Sequence, residues 1–400
     1  MLEVVGLKLN VSPKEIGPAP SFPHLRGRQM LDRREFLRRT IAGGLALSAL
    51  DVVKLFAEGP APTRIEVDPA FYKRLDNDRT QCFVCPLHCV LNPGETCFCR
   101  TRNNVDGRLM SFAYNNPCVL TIDAIEKLPL SHFLPGTQTL SLAVGGCNLR
   151  CLYCQNWDQS QARPETLKNF EVTKEKASDG AKKKDCKTIA YTYTDPVAFY
   201  EYMRDVSVFA KEKGIRNVCA TALFIEKEPL RALCKSIDAF AVALKGFDEK
   251  FYDKVLGSQL KPVLDALVTL KEEKSWLEVV TLVVPTYNDD LGKIREQCKW
   301  HRKNLGADTP LHFGRFEPQY KLQELPRTPA ETLEKCRAIG FEEGLKHVYI
   351  FNVSPHEGNN TFCPNCKAAV IQRLGFKILE NTTKDGVCPK CRAKLPGVWK

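Results

Sequence analysis

Twelve of the eighteen cysteines in this 400-residue chain stand in three tight blocks, and their spacing limits the possible folds more than any other feature. The blocks are Cys82, Cys85, Cys89, Cys97 and Cys99; then Cys147, Cys151 and Cys154; then Cys363, Cys366, Cys388 and Cys391. Disulfide frameworks belong to short secreted chains that cannot build a sufficient apolar core. Here 44% of the residues are apolar, enough for a large core, so the repeated Cys-x-x-Cys pairs read as metal sites. The other six cysteines (Cys118, Cys186, Cys219, Cys234, Cys298 and Cys336) are scattered and read as small buried hydrophobes. The formal charge of +11 is spread along the chain, with no basic patch interleaved with aromatics, so no nucleic-acid face is expected.

Between the second and third blocks, apolar runs alternate with amphipathic segments. The runs at 139–145, 188–194, 216–223, 238–245, 277–285, 310–316 and 347–353 are rich in Val, Ile, Thr, Phe or Tyr. They are almost continuously apolar, as parallel strands covered on both faces are. Helices are expected between them, including 196–213, 259–274, 290–305 and 328–344. Strand–helix alternation builds a parallel sheet through right-handed crossovers, open or curled toward a barrel, so the fold class is α/β. Near the N-terminus, Asp32-Arg-Arg-Glu-Phe-Leu37 precedes the uncharged stretch Thr40–Leu50. A twin arginine before a modest apolar run is the pattern of a Tat-type export signal, here over 1–58, with Met30 a natural start. It implies an exported, periplasmic location, the alternative being cytoplasmic. The run is too short for a membrane span of roughly 20 residues, so no transmembrane segment is expected.

The first strand of the series leads into Gly145-Gly146-Cys147-Asn-Leu-Arg-Cys151-Leu-Tyr153-Cys154. Loops after parallel strands are where α/β folds place their sites. Three thiolates at this spacing can hold three irons of a 4Fe–4S cube and leave the fourth open for a ligand. A structural zinc loop would want a fourth protein ligand. Gly145 and Gly146 allow close backbone approach and positive φ. In the first block, Cys82, Cys85, Cys89 and Cys99 offer four thiolates, with Cys97 a fifth; four thiolates suit zinc or a second iron–sulfur cluster. Cys363-x2-Cys366-x21-Cys388-x2-Cys391 has the spacing of a zinc ribbon.

Cys-x3-Cys-x2-Cys with an aromatic before the last cysteine is the signature of the radical S-adenosylmethionine (SAM) superfamily, which this segment resembles. Gly146-Cys-Asn-Leu-Arg-Cys-Leu-Tyr-Cys-Gln-Asn-Trp157, Tyr191-Thr-Tyr-Thr-Asp-Pro196, Glu226-x-Glu-Pro-Leu230, Leu244-Lys-Gly246, Thr281-Leu-x-x-Pro285 and His312-Phe-x-Arg-Phe-x-Pro318 are similar to the pyruvate formate-lyase activating enzyme branch. With the flanking cysteine modules and the closing Pro396-Gly-Val-Trp399, the chain resembles the radical enzyme of the AmmeMemoRadiSam system over about residues 80–400. The resemblance implies a partial (β/α)6 barrel of TIM type at 117–355. A small cysteine-rich metal-binding module at 80–116 and a zinc-ribbon-like module at 356–400 would flank it.

It further implies a 4Fe–4S cluster on Cys147, Cys151 and Cys154 that cleaves SAM to a 5′-deoxyadenosyl radical. Tyr153, Thr194 and Asp195 would be SAM contacts, a low-potential electron donor would be required, and Memo-type or AMMECR-type proteins would be neighbours. Against the family pattern, Thr194 and Asp195 replace Asn and Glu, Cys97 stands where glycine is usual, and Ala222, Ala241 and Ala243 replace polar pocket groups. His312, Arg315 and Glu317 are candidates for a polar lining or an internal ion pair, with the last two expected on one strand face. Lys245 is either a site lysine or a snorkelling one. Three readings of function follow: a radical enzyme acting on a protein or other macromolecule, one acting on a small molecule, or a non-catalytic member that binds clusters or partners.

Overall fold

The structure, a computed structural model, describes residues 63–400; the Tat-type region expected at 1–58 lies outside them. The chain first forms two small antiparallel sheets. Strands β1 (Ile65–Glu66), β5 (Arg102–Val105) and β6 (Arg108–Ser111) pair in the order β1-β6-β5. Strands β2 (Tyr72–Arg74), β3 (Thr80–Cys82) and β4 (Val90–Leu91) pair in sequence order.

The continuous apolar runs become the parallel strands of one eight-stranded sheet. After β7 (Val119–Ala124) come β8 (Gln138–Ala143), β9 (Thr188–Tyr191), β10 (Arg216–Thr221), β11 (Ala239–Ala243), β12 (Trp276–Val283), β13 (Leu311–Arg315) and β14 (Val348–Phe351). They lie side by side in chain order, β8 to β14 all parallel and β7 antiparallel to β8. Between successive parallel strands run helices α1 (Lys174–Lys183), α2 (Tyr200–Glu212), α3 (Lys227–Cys234), α4 (Leu260–Glu272), α5 (Leu291–Leu305) and α6 (Ala330–Glu342). Six strand–helix units followed by a seventh strand make the partial (β/α)6 barrel. Helix starts follow the usual chemistry: the Thr173 and Asp290 side chains accept the Lys176 and Lys293 N–H groups at the heads of α1 and α5. The antiparallel β7 has no continuous apolar run to announce it, because its Thr121 and Asp123 interrupt the pattern.

A plug closes one end of the sheet's interior. Ile125, Leu128, Leu130, Phe133 and Leu134 pack on Ala190 of β9, Val218 of β10 and Ala239 and Ala241 of β11. Small strand residues give that plug its room. The chain's last residues strap it from outside: Leu134 N–H donates to Val398 O at 2.7 Å, and Val398 N–H to His132 O at 2.8 Å. A Cβ on Gly397 would stand 2.6 Å from the His132 carbonyl oxygen, so the strap requires glycine there. Within the plug, Glu278 of β12 accepts the Ser131 and His132 backbone N–H groups and His312 Nε2, at 2.9, 2.8 and 2.9 Å. His132 Nδ1 meets the Pro396 carbonyl at 2.7 Å, which can only accept, so a neutral imidazole takes the Tyr349 hydroxyl proton's bond at Nε2, 2.6 Å. Three strands, β15 (Thr361–Phe362), β16 (Ala369–Leu374) and β17 (Lys377–Asn381), form the C-terminal module.

The N-terminal sheets are tied to the barrel by a buried ion pair. Arg102 Nε and one terminal nitrogen donate to the two Glu201 oxygens of α2 at 3.0 and 2.9 Å, and both side chains are almost wholly buried. Glu201→Gln leaves the buried guanidinium uncompensated and is expected to cost about 3–5 kcal/mol, seen as a clear loss in thermal melts. Acid should act on the buried histidines. Burial holds His132 and His301 down to about 4, below the unfolded value of about 6.5. Between those values the unfolded chain binds the extra proton, so stability falls as pH drops from 6.5 toward 4, by roughly 1.4 kcal/mol for each unit of separation. Melts from pH 7 to 4.5 should show this fall, and His301→Asn should flatten it.

Candidate active site

The loop after β8 is held from both sides. Gly146 has φ of 98°, and a Cβ there would sit 2.6 Å from the Cys99 carbonyl oxygen of the N-terminal module. That carbonyl accepts the Cys147 N–H at 3.1 Å. On the other side, the Arg150 and Leu152 N–H groups donate to Leu256 O and Val255 O at 2.7 and 3.0 Å. The Arg150 guanidinium lies 3.7 Å over the Phe98 ring and donates to Cys147 O at 2.9 Å. Asn148 Nδ2 donates to Phe224 O at 2.7 Å.

The loop so fixed turns Cys147, Cys151 and Cys154 onto the wall of one cavity of about 850 Å³ inside the sheet. Cys147 Sγ accepts the Leu149 N–H at 3.4 Å, and Cys154 Sγ stands 3.3 Å from Ser160 Oγ. Burial pushes the Cys151 thiol up to about 11 and raises Cys147 well above the ordinary thiol value, so neither ionises unaided near neutrality. A bound metal supplies the positive charge that favours thiolate. Three sulfurs on one cavity wall, that of Cys147 buried and facing an N–H donor and those of Cys151 and Cys154 half-buried, fit a cluster held by three cysteines.

Thr194 and Asp195 line the same cavity. Thr194 Oγ1 donates to Val144 O at 2.8 Å, which joins the end of β9 to the cysteine loop. The Asp195 carboxylate accepts Val197 N–H, Thr221 Oγ1–H and Ala222 N–H at 3.1, 3.0 and 2.8 Å. Those bonds take three of about four acceptor positions. Burial still leaves its carboxyl above the ordinary carboxylate value. Tyr153 is placed differently. Its ring packs 6.3 Å from both Phe251 and Phe316, its hydroxyl is buried without a partner, and it is not among the residues lining the cavity.

Ala222, Ala241, Ala243 and Lys245 all face the cavity. His312 lies on its floor in an internal pair with Glu278. Arg315 and Glu317 do not share a face: β13 ends at Arg315, whose Nε turns to Thr328 O at 3.0 Å, while Glu317 lines the cavity and pairs with Arg327. Sequence reasoning missed Glu126, Asn156, Tyr193, Glu278, Asn359 and Arg373. Arg373 and Asn359 reach the barrel from the C-terminal segment, where no spacing signal marks them.

The two flanking cysteine sets differ in geometry. Among the described residues, Cys363, Cys366, Cys388 and Cys391 form the one group of ligand-type side chains whose donor atoms all lie within 4.8 Å. The Cys363–Cys391 and Cys366–Cys388 sulfur separations are 3.5 and 3.7 Å. Metal–sulfur bonds of about 2.3 Å in a tetrahedron put sulfurs about 3.8 Å apart, so the set is nearly metal-ready. Two matching knuckles build it: Lys367 N–H to Cys363 O and Arg392 N–H to Cys388 O, with φ of 61° and 64° at Lys367 and Arg392. The Ala393 N–H holds the Cys391 thiol down to about 6. In the N-terminal set, Cys82, Cys85, Cys89 and Cys99 gather with Cys97, whose thiol is pushed up by the neighbouring thiols of Cys82, Cys89 and Cys99 and by burial.

Comparison with known proteins agrees with this geometry. Residues 142–298 match the Radical SAM superfamily, which implies a 4Fe–4S cluster and SAM. The chain carries this superfamily's enzyme domain, and it belongs to the same family as the Uncharacterized protein MJ0808 of Methanocaldococcus jannaschii. The two are 46% identical over 327 residues, 81% of this chain and 97% of that one. Uncharacterized protein MJ0674 of the same organism is 24% identical over 284 residues, 67% of this chain and 76% of its own. Among solved structures, a radical SAM methyltransferase from Sphaerobacter thermophilus is similar at 12% identity and a TM-score of 0.44, over 80% of this chain and 82% of its own. A domain of pyruvate-formate lyase-activating enzyme from Bacteroides vulgatus is similar at 15% identity and a TM-score of 0.36, over 41% and 98%.

The C-terminal set should hold one metal ion per chain, countable by elemental analysis. Cys366→Ser should release that ion and speed amide exchange across β15–β17 by at least about a hundredfold, since such modules fold with their metal.

Proposed function

We propose that the chain is a radical SAM enzyme in which Cys147, Cys151 and Cys154 hold a 4Fe–4S cluster and Thr194, Asp195 and Lys245 border the SAM-binding end of the cavity. The observation that carries this reading is the convergence of the three thiols and those side chains on one cavity wall. With cluster and SAM bound, the site would supply reductive SAM cleavage, in which one electron from a low-potential donor would yield methionine and a 5′-deoxyadenosyl radical able to take hydrogen from the substrate. The chain's own contribution is position and dryness. Gly146 and Cys99 fix the loop's height, Asp195 offers its remaining acceptor position to a cationic group, and Leu149 N–H stabilises the Cys147 thiolate.

The activating-enzyme-like sequence supports a protein or other macromolecule as substrate. By the same resemblance, the system is of AmmeMemoRadiSam type with Memo-type or AMMECR-type partners. In this reading Tyr153 backs the SAM site through packing, and Cys82, Cys85, Cys89 and Cys99 hold zinc or a second iron–sulfur cluster. The ribbon set of Cys363, Cys366, Cys388 and Cys391 holds zinc. One feature favours a small-molecule substrate instead: a cavity of about 850 Å³ reaching the barrel floor is the size of ordinary ligand pockets, roughly 300–1,000 Å³.

Anaerobic reconstitution followed by a dithionite-driven assay tests the proposal. Wild type should form 5′-deoxyadenosine, and Cys151→Ala should fall to background. A fully loaded cluster whose EPR signal ignores SAM, with no deoxyadenosine, would sink it in favour of a non-catalytic, partner-binding role.

A further inference from the structure

The chain that leaves β9 turns on a residue ill suited to turning. Thr194 N–H donates to Thr192 O at 2.9 Å, closing a three-residue turn around Tyr193, whose φ is 65°. A three-residue turn with positive φ at its centre is the rare, strained form. Glycine would enter it freely, whereas a bulky aromatic persists there only where its surroundings over-determine it.

Tyr193 is held at both ends. Its hydroxyl donates to Asp123 Oδ2 at 2.7 Å and accepts from Lys127 Nζ at 2.8 Å. Lys127 Nζ closes the triangle on Asp123 Oδ1 at 2.7 Å and lies 5.1 Å from the centre of the Tyr193 ring. At the main chain, Asn156 Nδ2 donates to the Tyr193 carbonyl at 2.8 Å. Asp123, the residue that breaks the apolar pattern of β7, thus finds its polar partners here. Asn156 follows directly on the cysteine loop, so β7, that loop and the end of β9 are joined through one strained residue.

The next two positions show what the strain sets. Thr194 is tied to Val144 O, and Asp195 gathers the donors of Val197, Thr221 and Ala222; both are buried on the wall of the cavity that Cys154 also lines. An extended residue at 193 would leave the Thr192–Thr194 bond open. A three-residue turn with negative φ would bend the chain to the opposite hand.

We propose that Tyr193 is a positioning residue, clamped in its strained turn by Asp123, Lys127 and Asn156 so that Thr194 and Asp195 face SAM in fixed relation to the cysteine loop. That SAM is the object of the positioning rests on the reading above; the clamp itself does not.

Tyr193→Phe tests it, because it keeps the ring and takes the hydroxyl out of the triangle. Wild type and variant are compared as full chains reconstituted anaerobically with their metals. Iron content, and the EPR signal of the reduced cluster without SAM, should be the same in both. Amide exchange over 192–197 and 221–223 should quicken by at least about tenfold in the variant, with the rest of the barrel unchanged. The SAM concentration that gives half of the EPR change should rise at least about tenfold, or about 1.4 kcal/mol. Asp123→Asn should behave alike, and the double variant should lose little more than either single one, since both act through one clamp. Wild-type exchange and SAM response in Tyr193→Phe would overturn the proposal, as would additive losses in the double variant. Loss of cluster iron in Tyr193→Phe would also overturn it, assigning Tyr193 to the fold of the cysteine loop. A wild-type cluster indifferent to SAM would sink the reading above and SAM as the object of the clamp, while amide exchange still decides the clamp.

Discussion

A guanidinium with almost no exposure needs its donors answered, and Arg102 finds the answers on two sides of the molecule. It reaches Cys99 Sγ at 3.7 Å within its own module, and Val197 O and the Glu201 carboxylate on the barrel. Neither partner can leave without stranding a charge in low dielectric, so the module and the start of α2 keep one relative position. The Cys99 carbonyl then sits where Cys147 N–H can bond it, and the turn after β9, held by the same arginine, carries Asp195 and Thr194. The cysteine loop and the turn that carries Thr194 and Asp195 are thus aligned through one buried side chain.

The alanines at 222, 241 and 243 carry a different meaning in three dimensions than in the string of residues. Against related motifs they stand as lost polar groups. In the barrel, Ala241 packs under the plug of residues 125–134, and Ala222 answers Asp195 with its backbone N–H, a bond that needs no side chain. Polar groups remain in the interior: His312, Glu126 and Arg373 line the cavity, and Glu278, level with Ala241 in the sheet register, bonds His312.

The parallel strands were legible because burial on both faces leaves a continuous apolar record, and the cysteine loop because three ligands lie within eight residues. Contacts made across long separations left no such record. Arg373 meets Ser131 across 242 positions, and Glu278 meets Ser131 across 147. No local pattern encodes either. Arg315 and Glu317 show the reverse failure: period-2 reasoning holds only while the strand lasts, and β13 stops between them. Tyr153 was read from its place in a motif, and packing against Phe251 and Phe316 decides where its ring goes.

Strand β16 runs between the two knuckles of the C-terminal module and carries Arg373 into the barrel floor. Its fold depends on four thiols gathered around a common point, two of them, Cys366 and Cys391, only half-buried and so within reach of oxidants and chelators. The condition of an outlying metal knot therefore becomes a property of the barrel's innermost wall. A cell that starves the chain of metal, or oxidises those sulfurs, would leave the radical loop assembled and change what the chamber beneath it can hold.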